Sequence, residues 1–464
     1  MNHVAIEPGS FRDPMGRVFV GGDHIYRATS AKGRTAFEFV AATGLLAKLE
    51  DAGKIVTSRI VPNHVLGGLA RTDGIVLEHE KIPYISYPYE WSFSFLKAAA
   101  LLHLDIHLQA LEVGVTLSDA SAYNVQFRGS HPVFIDILSF RPLKTGETWD
   151  GHRQFCEQFL NPLLLKSKLD IDPNAWYRGT QEGISTPEIN RLLPWYKKLS
   201  WKMLTHVVAQ SALQNANVGT AADARARVEF PLASYRRMLT GLRNWIETIE
   251  PAKKSRTEWQ DYATGHSYAD AEQQAKAAFV ARFAAAVTPD ILWDIGCNTG
   301  DYSAVALANG AAYSVGFDVD QGALTQAYGR AIANDMPFQP LYFDGANPSP
   351  SQGWNEAERK SMSARRNADG LIALAFIHHM AIGRNIPLEH VIRWLVGLAP
   401  EGVIEFVPKA DPMVRQLLTL REDIFEDYSL SAFTEYLREM AEIVATDVIT
   451  KSGRQLFWYK RKSG

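Results

Sequence analysis

The chain has 464 residues, with 48 Lys and Arg against 51 Asp and Glu and a formal charge of −3. That balance provides no global basic field for nucleic acid, and two cysteines, Cys156 and Cys297, exclude a disulfide framework or a zinc site built from cysteines. The length exceeds one ordinary core, so two or three domains are expected. With no apolar run near about 18 residues and no leader-like start, the expectation is a soluble, cytoplasmic chain without a membrane span.

Residues 1–85 mix strand-like pieces (Arg17–Val20, Lys54–Pro62, Gly74–Glu78) with a helix around Thr35–Asp51. Trp91–Val113 reads as a long amphipathic helix, apolar at Phe95, Leu101, Leu102, Leu108 and Leu111. It leads into Asp119-Ala-Ser-Ala-Tyr-Asn124 and then an apolar strand, Pro132-Val-Phe-Ile-Asp136. Asp-x4-Asn in a loop after a long helix, with a strand-end Asp twelve residues on, resembles the core of protein-kinase-like phosphotransferases. The resemblance implies that Asp119 orients an acceptor hydroxyl while Asn124 and Asp136 hold Mg²⁺.

Several parts of that pattern are missing. Leu117-Ser118 stands where His-Arg precedes the first Asp, and Asp136-Ile137-Leu138 replaces Asp-Phe-Gly. No lysine occupies the third strand, Arg27 being the nearest substitute, and the glycine loop is reduced to Gly16 and Gly21-Gly22. The resemblance therefore implies a kinase-like domain, residues 1–148, that scaffolds or captures substrate without transferring phosphate. On the residues alone, Asp119 and Asn124 can equally cap and turn a loop. Residues 149–250 read as a helical region continuing this domain, and Pro251-Ala-Lys-Lys-Ser-Arg as a linker.

The third domain, 251–464, opens with Trp259-Gln-Asp-Tyr262 and Tyr268 ahead of a helix, Ala269–Ala286. Segments placed this way often fold over a cofactor, so Tyr262, Tyr268 and Lys276 are candidate lid residues, with packing or solvent exposure as the alternative. Ile291–Ile295 is a short buried strand running into Gly296-Cys-Asn298-Thr-Gly300 and a helix from Tyr302 to Asn309. A second strand, Tyr313–Phe317, ends in Asp318, and a third, Leu341–Asp344, also ends in an acid. A dinucleotide fingerprint wants three glycines and a pyrophosphate on the helix N-terminus. Here Asn298 replaces the middle glycine, and Asp301 would repel a pyrophosphate. Asp294-Ile-Gly296-Cys-Asn298-Thr-Gly300 resembles the first motif of class I methyltransferases dependent on S-adenosylmethionine (SAM). That resemblance implies SAM as cofactor, with Asp294, Gly296, Asn298 and Gly300 at the turn, Asp318 on the ribose and Asp344 near the adenine.

Gly370–Met380 reads as a fourth, doubly buried strand ending in His378-His379, and Gly402–Lys409 as a fifth containing Glu405. A helix at Ser431–Met440 and strands Ile443–Ile449 and Gln455–Lys460 close the chain. Neutral imidazoles at a strand end suit a general base, but neighbours on a strand face opposite ways, so only one of the pair should meet an acceptor. A carboxylate inside an apolar strand is costly without a partner. Glu405 is accordingly expected to contact substrate, or else to pair with Arg421 or Lys409.

Ala375-Phe-Ile-His378-His379-Met, Ile386-Pro-Leu-Glu, Ile404-Glu405-Phe-Val and Asp411-Pro-Met-Val with Arg421-Glu-Asp are similar to a family of bacterial methyltransferases with a long N-terminal extension. Some of its members are host-specific nodulation proteins. The expected fold is α/β, a doubly wound Rossmann-like methyltransferase sheet preceded by an α+β kinase-like domain and a helical region. The expected function is SAM-dependent methylation of a small-molecule or glycan-type acceptor. A bifunctional kinase–methyltransferase and a SAM-sensing regulator are the alternatives.

Overall fold

The computed structural model describes residues 4–69, 72–215, 231–252, 267–419 and 421–462. The chain divides into two compact units. The first comprises Met1–Phe127, His131–Ser255 and Gln352–Arg359; the second comprises Arg128–Ser130, Arg256–Ser351 and Lys360–Gly464. Among the described residues no helix is long and apolar enough to cross a membrane.

In the first unit, β1 (Val4–Ile6), β2 (Gly16–Gly21), β3 (His24–Thr29), β4 (Ser58–Val61) and β5 (Val76–Glu80) form an antiparallel sheet in the order β1-β2-β3-β5-β4. Phe19, Ala28, Leu66 and Val76 pack together against this sheet. Gly21 and Gly22 serve the β2–β3 turn, where Gly22 takes φ +58°, a left-handed conformation open to a residue without Cβ. The helix expected at Thr35–Asp51 is two helices, Ala31–Ala42 and Leu45–Asp51, parted by Gly44 at φ +76°. The expected strand Lys54–Pro62 shrinks to β4.

The long helix runs Phe93–Glu112, and the Ser92 side chain accepts the Phe95 N–H at its start. Beyond it, β6 (Val115–Leu117) pairs with β9 (Phe140–Pro142), and β7 (Val125–Arg128) pairs with β8 (His131–Phe134). Asp136 thus lies two residues past its strand instead of ending it. The described residues from 150 to 250 are mostly helical, and three segments of them, Cys156–Leu160, Leu165–Leu169 and Leu204–Ala209, widen to π-helix.

The second unit is built on a seven-stranded sheet. Its strands are β10 (Ile291–Ile295), β11 (Tyr313–Asp318), β12 (Phe338–Tyr342), β13 (Gly370–Ala373), β14 (Glu401–Phe406), β15 (Ala441–Val448) and β16 (Gln455–Arg461), in the order β12-β11-β10-β13-β14-β16-β15. The first five run parallel; β16 is antiparallel to β14 and β15 to β16. Strand order reverses at β10, which pairs with both β11 and β13, and the carboxyl ends at such a switch point are where open α/β sheets hold their ligands. Phe279, Val280 and Phe283 of the helix Ser267–Val287 pack with Leu292, Ile372, Val403 and Leu456. Leu324, Ala327 and Ala331 pack with Cys297 and Phe338.

The fourth strand differs from expectation. It stops at Ala373, because Ala375 sits at φ +50°, outside any strand conformation, and the chain then turns into a π-helix, His379–Gly383.

Candidate functional site

At the switch point the chain leaves β10 through Gly296 (φ +82°), Asn298 (φ +48°) and Gly300 (φ +77°) before the helix Asp301–Ala308. Gly296 N–H and Cys297 N–H both donate to the Phe317 carbonyl, at 2.8 and 3.1 Å, tying the turn to β11. A Cβ on Gly300 would fall 2.4 Å from the Phe338 ring, so only glycine fits. Asn, a residue more tolerant of left-handed backbone, occupies the place where a glycine was missing.

Asp318 closes this turn from the neighbouring strand. One carboxylate oxygen accepts the Asn298 N–H at 2.8 Å and the other the Asp320 N–H at 2.9 Å. Burial pushes the Asp318 carboxyl above its usual range, against the opposing effect of those two N–H bonds. Asp344 follows β12 half-buried, accepts the Ala346 N–H at 3.0 Å, and lies 3.8 Å from Arg384. Asp301 at the helix N-terminus is paired with Arg330 at 2.5 Å.

Asp294 is placed differently from Asp318 and Asp344. It is 2% exposed and accepts the Ser303 hydroxyl at 2.7 Å, while Ser314 donates to Ser303 at 3.1 Å. It therefore holds the helix Asp301–Ala308 against β10 from beneath the turn. Burial foremost, with the Asp318 and Asp301 charges behind it, pushes its carboxyl up to about 7. Tyr262 and the Tyr268 side chain lie outside the described residues.

On the other side of β10, His378 and His379 are neither on a strand nor on opposite faces. His378 caps the π-helical turn and His379 begins it, with ring centroids 4.1 Å apart. A helical turn places successive side chains about a hundred degrees apart, which is why strand logic failed here. His378 is 1% exposed, and neither of its ring nitrogens has a hydrogen-bond partner among the described residues. Burial holds its pKa well below the ordinary histidine value. His379 is partly exposed, and burial followed by the Arg454 charge lowers it to about 4. Both imidazoles are neutral at pH 7.

Glu405 is wholly buried, so it does not face an open acceptor site, and neither of the partners expected for it is the one observed. Lys409 pairs with Asp423, and Arg421 donates to the Ile382 carbonyl. Lys276 supplies the cation instead, its Nζ 2.8 Å from Glu405 Oε2, and it is neither a lid residue nor solvent-facing. The same oxygen accepts the Ala375 N–H at 2.8 Å, which pins the left-handed residue that ends β13. Arg454 stands 3.6 Å from the other oxygen and forks onto Asp411 at 2.7 and 2.9 Å. Lys276, Glu405, Arg454 and Asp411 make a chain of alternating charge, the arrangement that renders a buried carboxylate tolerable. Arg454 was not anticipated from the sequence; its only signal was the unpaired acid in β14.

In the first unit, the residues expected to gather do so. Asn124 Nδ2 donates to both Asp119 oxygens, at 3.1 and 3.2 Å. Arg27, 8% exposed on β3, donates to Asp136 at 2.5 Å and through two nitrogens to Asp13 at 2.5 and 3.2 Å. Burial, and then the Asp136 charge, pushes the Asp119 carboxyl up to about 6.

No family model matches the chain. It is similar to nodulation protein NoeA of Rhizobium meliloti (strain 1021), with 45% identity over 461 residues, 98% of this chain and 95% of that one. Among solved structures it resembles the N-methyltransferase NodS from Bradyrhizobium japonicum WM9 in complex with S-adenosyl-l-homocysteine (SAH), at 10% identity and a TM-score of 0.33 over 45% of this chain and 94% of that one. It also resembles magnesium protoporphyrin IX methyltransferase (ChlM) from Synechocystis PCC 6803 with bound SAM, at 17% identity and a TM-score of 0.31 over 44% and 89% of the two chains.

Proposed function

The chain belongs to the family of nodulation protein NoeA, and we propose that it is a methyltransferase that moves the methyl group of SAM to a small-molecule or glycan-type acceptor. The observation that carries this reading is the turn at β10. Its backbone enters left-handed space at three places, and the Asp318 carboxylate braces it from the next strand. Each Asp318 oxygen accepts one backbone N–H and keeps lone-pair capacity for a ribose hydroxyl. Asp301 and the absence of a third glycine disfavour a pyrophosphate, while SAM has none. Bound there, SAM supplies an activated methyl on a sulfonium.

Displacement from a sulfonium needs alignment more than covalent help. The Glu405 carboxylate, by holding Ala375, sets where the loop carrying the two histidines leaves the sheet. His379 is the partly exposed member of the pair, so it is the one positioned to accept a proton or hydrogen bond from the acceptor. At about 4 it is a weak base, better matched to orienting a hydroxyl than to full deprotonation. The half-buried carboxylates Asp318, at the end of β11, and Asp344, two residues past β12, hold the cofactor, and an acceptor reaching His379 is what separates catalysis on bound SAM from sensing it.

The first unit is read as a kinase-like scaffold for the acceptor. Arg27, the residue in place of a phosphate-binding lysine, is already engaged by two carboxylates. The cation standing in the lysine's place is therefore already committed, which weighs against the bifunctional alternative.

Isothermal titration calorimetry tests the cofactor assignment. The full chain should bind SAM and SAH, and Asp318→Ala should weaken both by about 2–3 kcal/mol, roughly one and a half to two decades. Binding of NAD but not SAM would refute it.

A further inference from the structure

We propose that the helical part of the first unit carries a divalent transition-metal site of the zinc type, with His152, Cys156 and His206 as ligands. The three donor atoms lie within 4.8 Å of one another. His152 Nε2 is 3.0 Å from His206 Nδ1 and 3.7 Å from Cys156 Sγ. Metal–nitrogen bonds of about 2.0–2.1 Å and a metal–sulfur bond of about 2.3 Å put tetrahedral N···N and N···S edges near 3.3 and 3.6 Å. The two observed edges sit within a few tenths of an ångström of these values, and the third is under 4.8 Å.

The backbone supports the same reading. His152 and Cys156 are four residues apart and share a helix face, His152 on the helix His152–Phe155 and Cys156 opening the π-helix Cys156–Leu160. His206 lies inside a second π-helix, Leu204–Ala209. Such widened turns are rare and collect at functional positions, because they re-aim a side chain that an α-helix would direct elsewhere. Cys156 and His206 are buried, so the ion would be held away from bulk water. Binding forms one metal–sulfur and two metal–nitrogen bonds and releases the Cys156 thiol proton to solvent, since a thiolate is the ligating form. The two-cysteine count ruled out a site built from cysteines alone, not this mixed set. The alternative is a hydrogen-bonded chain of the same three side chains, with no ion.

Cobalt(II) separates the two, because a thiolate ligand gives it a strong charge-transfer band. Chelator-stripped full-length protein titrated with Co²⁺ should bind one equivalent with that band, and Zn²⁺ should displace it. Only two cysteines exist, so the band should persist in Cys297→Ala and vanish in Cys156→Ala. The Cys297→Ala result decides the matter even where Cys156→Ala does not fold. Absence of a thiolate band in the wild type, or its loss in Cys297→Ala, would overturn the proposal.

Discussion

Replacing Lys276 with Met tests the buried charge chain beneath the second site. Lys276 Nζ is 2.8 Å from Glu405 Oε2, with the two side chains 9% and 0% exposed. Deleting one partner of such a pair leaves an uncompensated buried charge and costs about 3–5 kcal/mol. Arg454 remains 3.6 Å from the other Glu405 oxygen, so the lower end, about 3 kcal/mol, is expected. A unit of this size moves about 2–4 °C per kcal/mol, which predicts a fall of roughly 6–12 °C. Adding Glu405→Gln should recover most of the loss, since the charge is gone while an amide oxygen still accepts the Ala375 N–H. The assay is scanning calorimetry of the full chain, reading the transition that SAH raises, because two units need not melt together. A single-variant loss below about 1 kcal/mol, or a double variant no more stable than the single, would refute the pairing argument.

Three further outcomes follow from the geometry. Burial raises the folded Asp294 carboxyl to about 7 from 3.8, so between about pH 4 and about pH 7 the folded state holds a proton that the unfolded state has released. Stability should fall as pH rises through that window, and Asp294→Asn, which still accepts from Ser303, should gain on the wild type by up to about 1.4 kcal/mol per pH unit; parallel melting profiles would exclude this. His379→Ala should lose turnover with SAM affinity unchanged, whereas the wholly buried His378 should report mainly through stability; equal turnover of both variants, once an acceptor is in hand, would remove the assigned role. Mg²⁺–ATP should leave the melting of the first unit unmoved, since Arg27 is held by Asp13 and Asp136. A stabilisation above about 2.7 kcal/mol at a hundredfold excess over the dissociation constant, lost in Asp136→Asn, would restore the phosphotransfer reading.

What the sequence alone determined lies within single elements and the turns that join them. β10 and the turn after it could be read because a five-residue strand of four apolar residues and Asp294, a glycine on either side of Asn298 and a following helix are local signals. The acids at the end of β11 and two residues past β12 were legible for the same reason, since an apolar run that gives way to a carboxylate marks its own end. The spacing of Asp119 and Asn124 in one loop was local as well, and Asn124 does meet Asp119 five residues away.

Other features were decided only by the tertiary structure. β13 was read too long because Leu374 to Ile377 is as apolar as the strand before it, and nothing in an alanine's side chain announces the φ of +50° at Ala375. That conformation is held from another strand, by Glu405. The cation for Glu405 comes from a helix 129 residues earlier, so a search among sequence neighbours found Arg421 and Lys409 instead. His152 meets His206 across 54 residues, a separation that carries no periodicity. Hydrophobic pattern and turn chemistry act over a few bonds and are written along the chain. The neutralisation of a buried charge acts through space in a low dielectric, so its partners are fixed only once the sheet and its helices have packed.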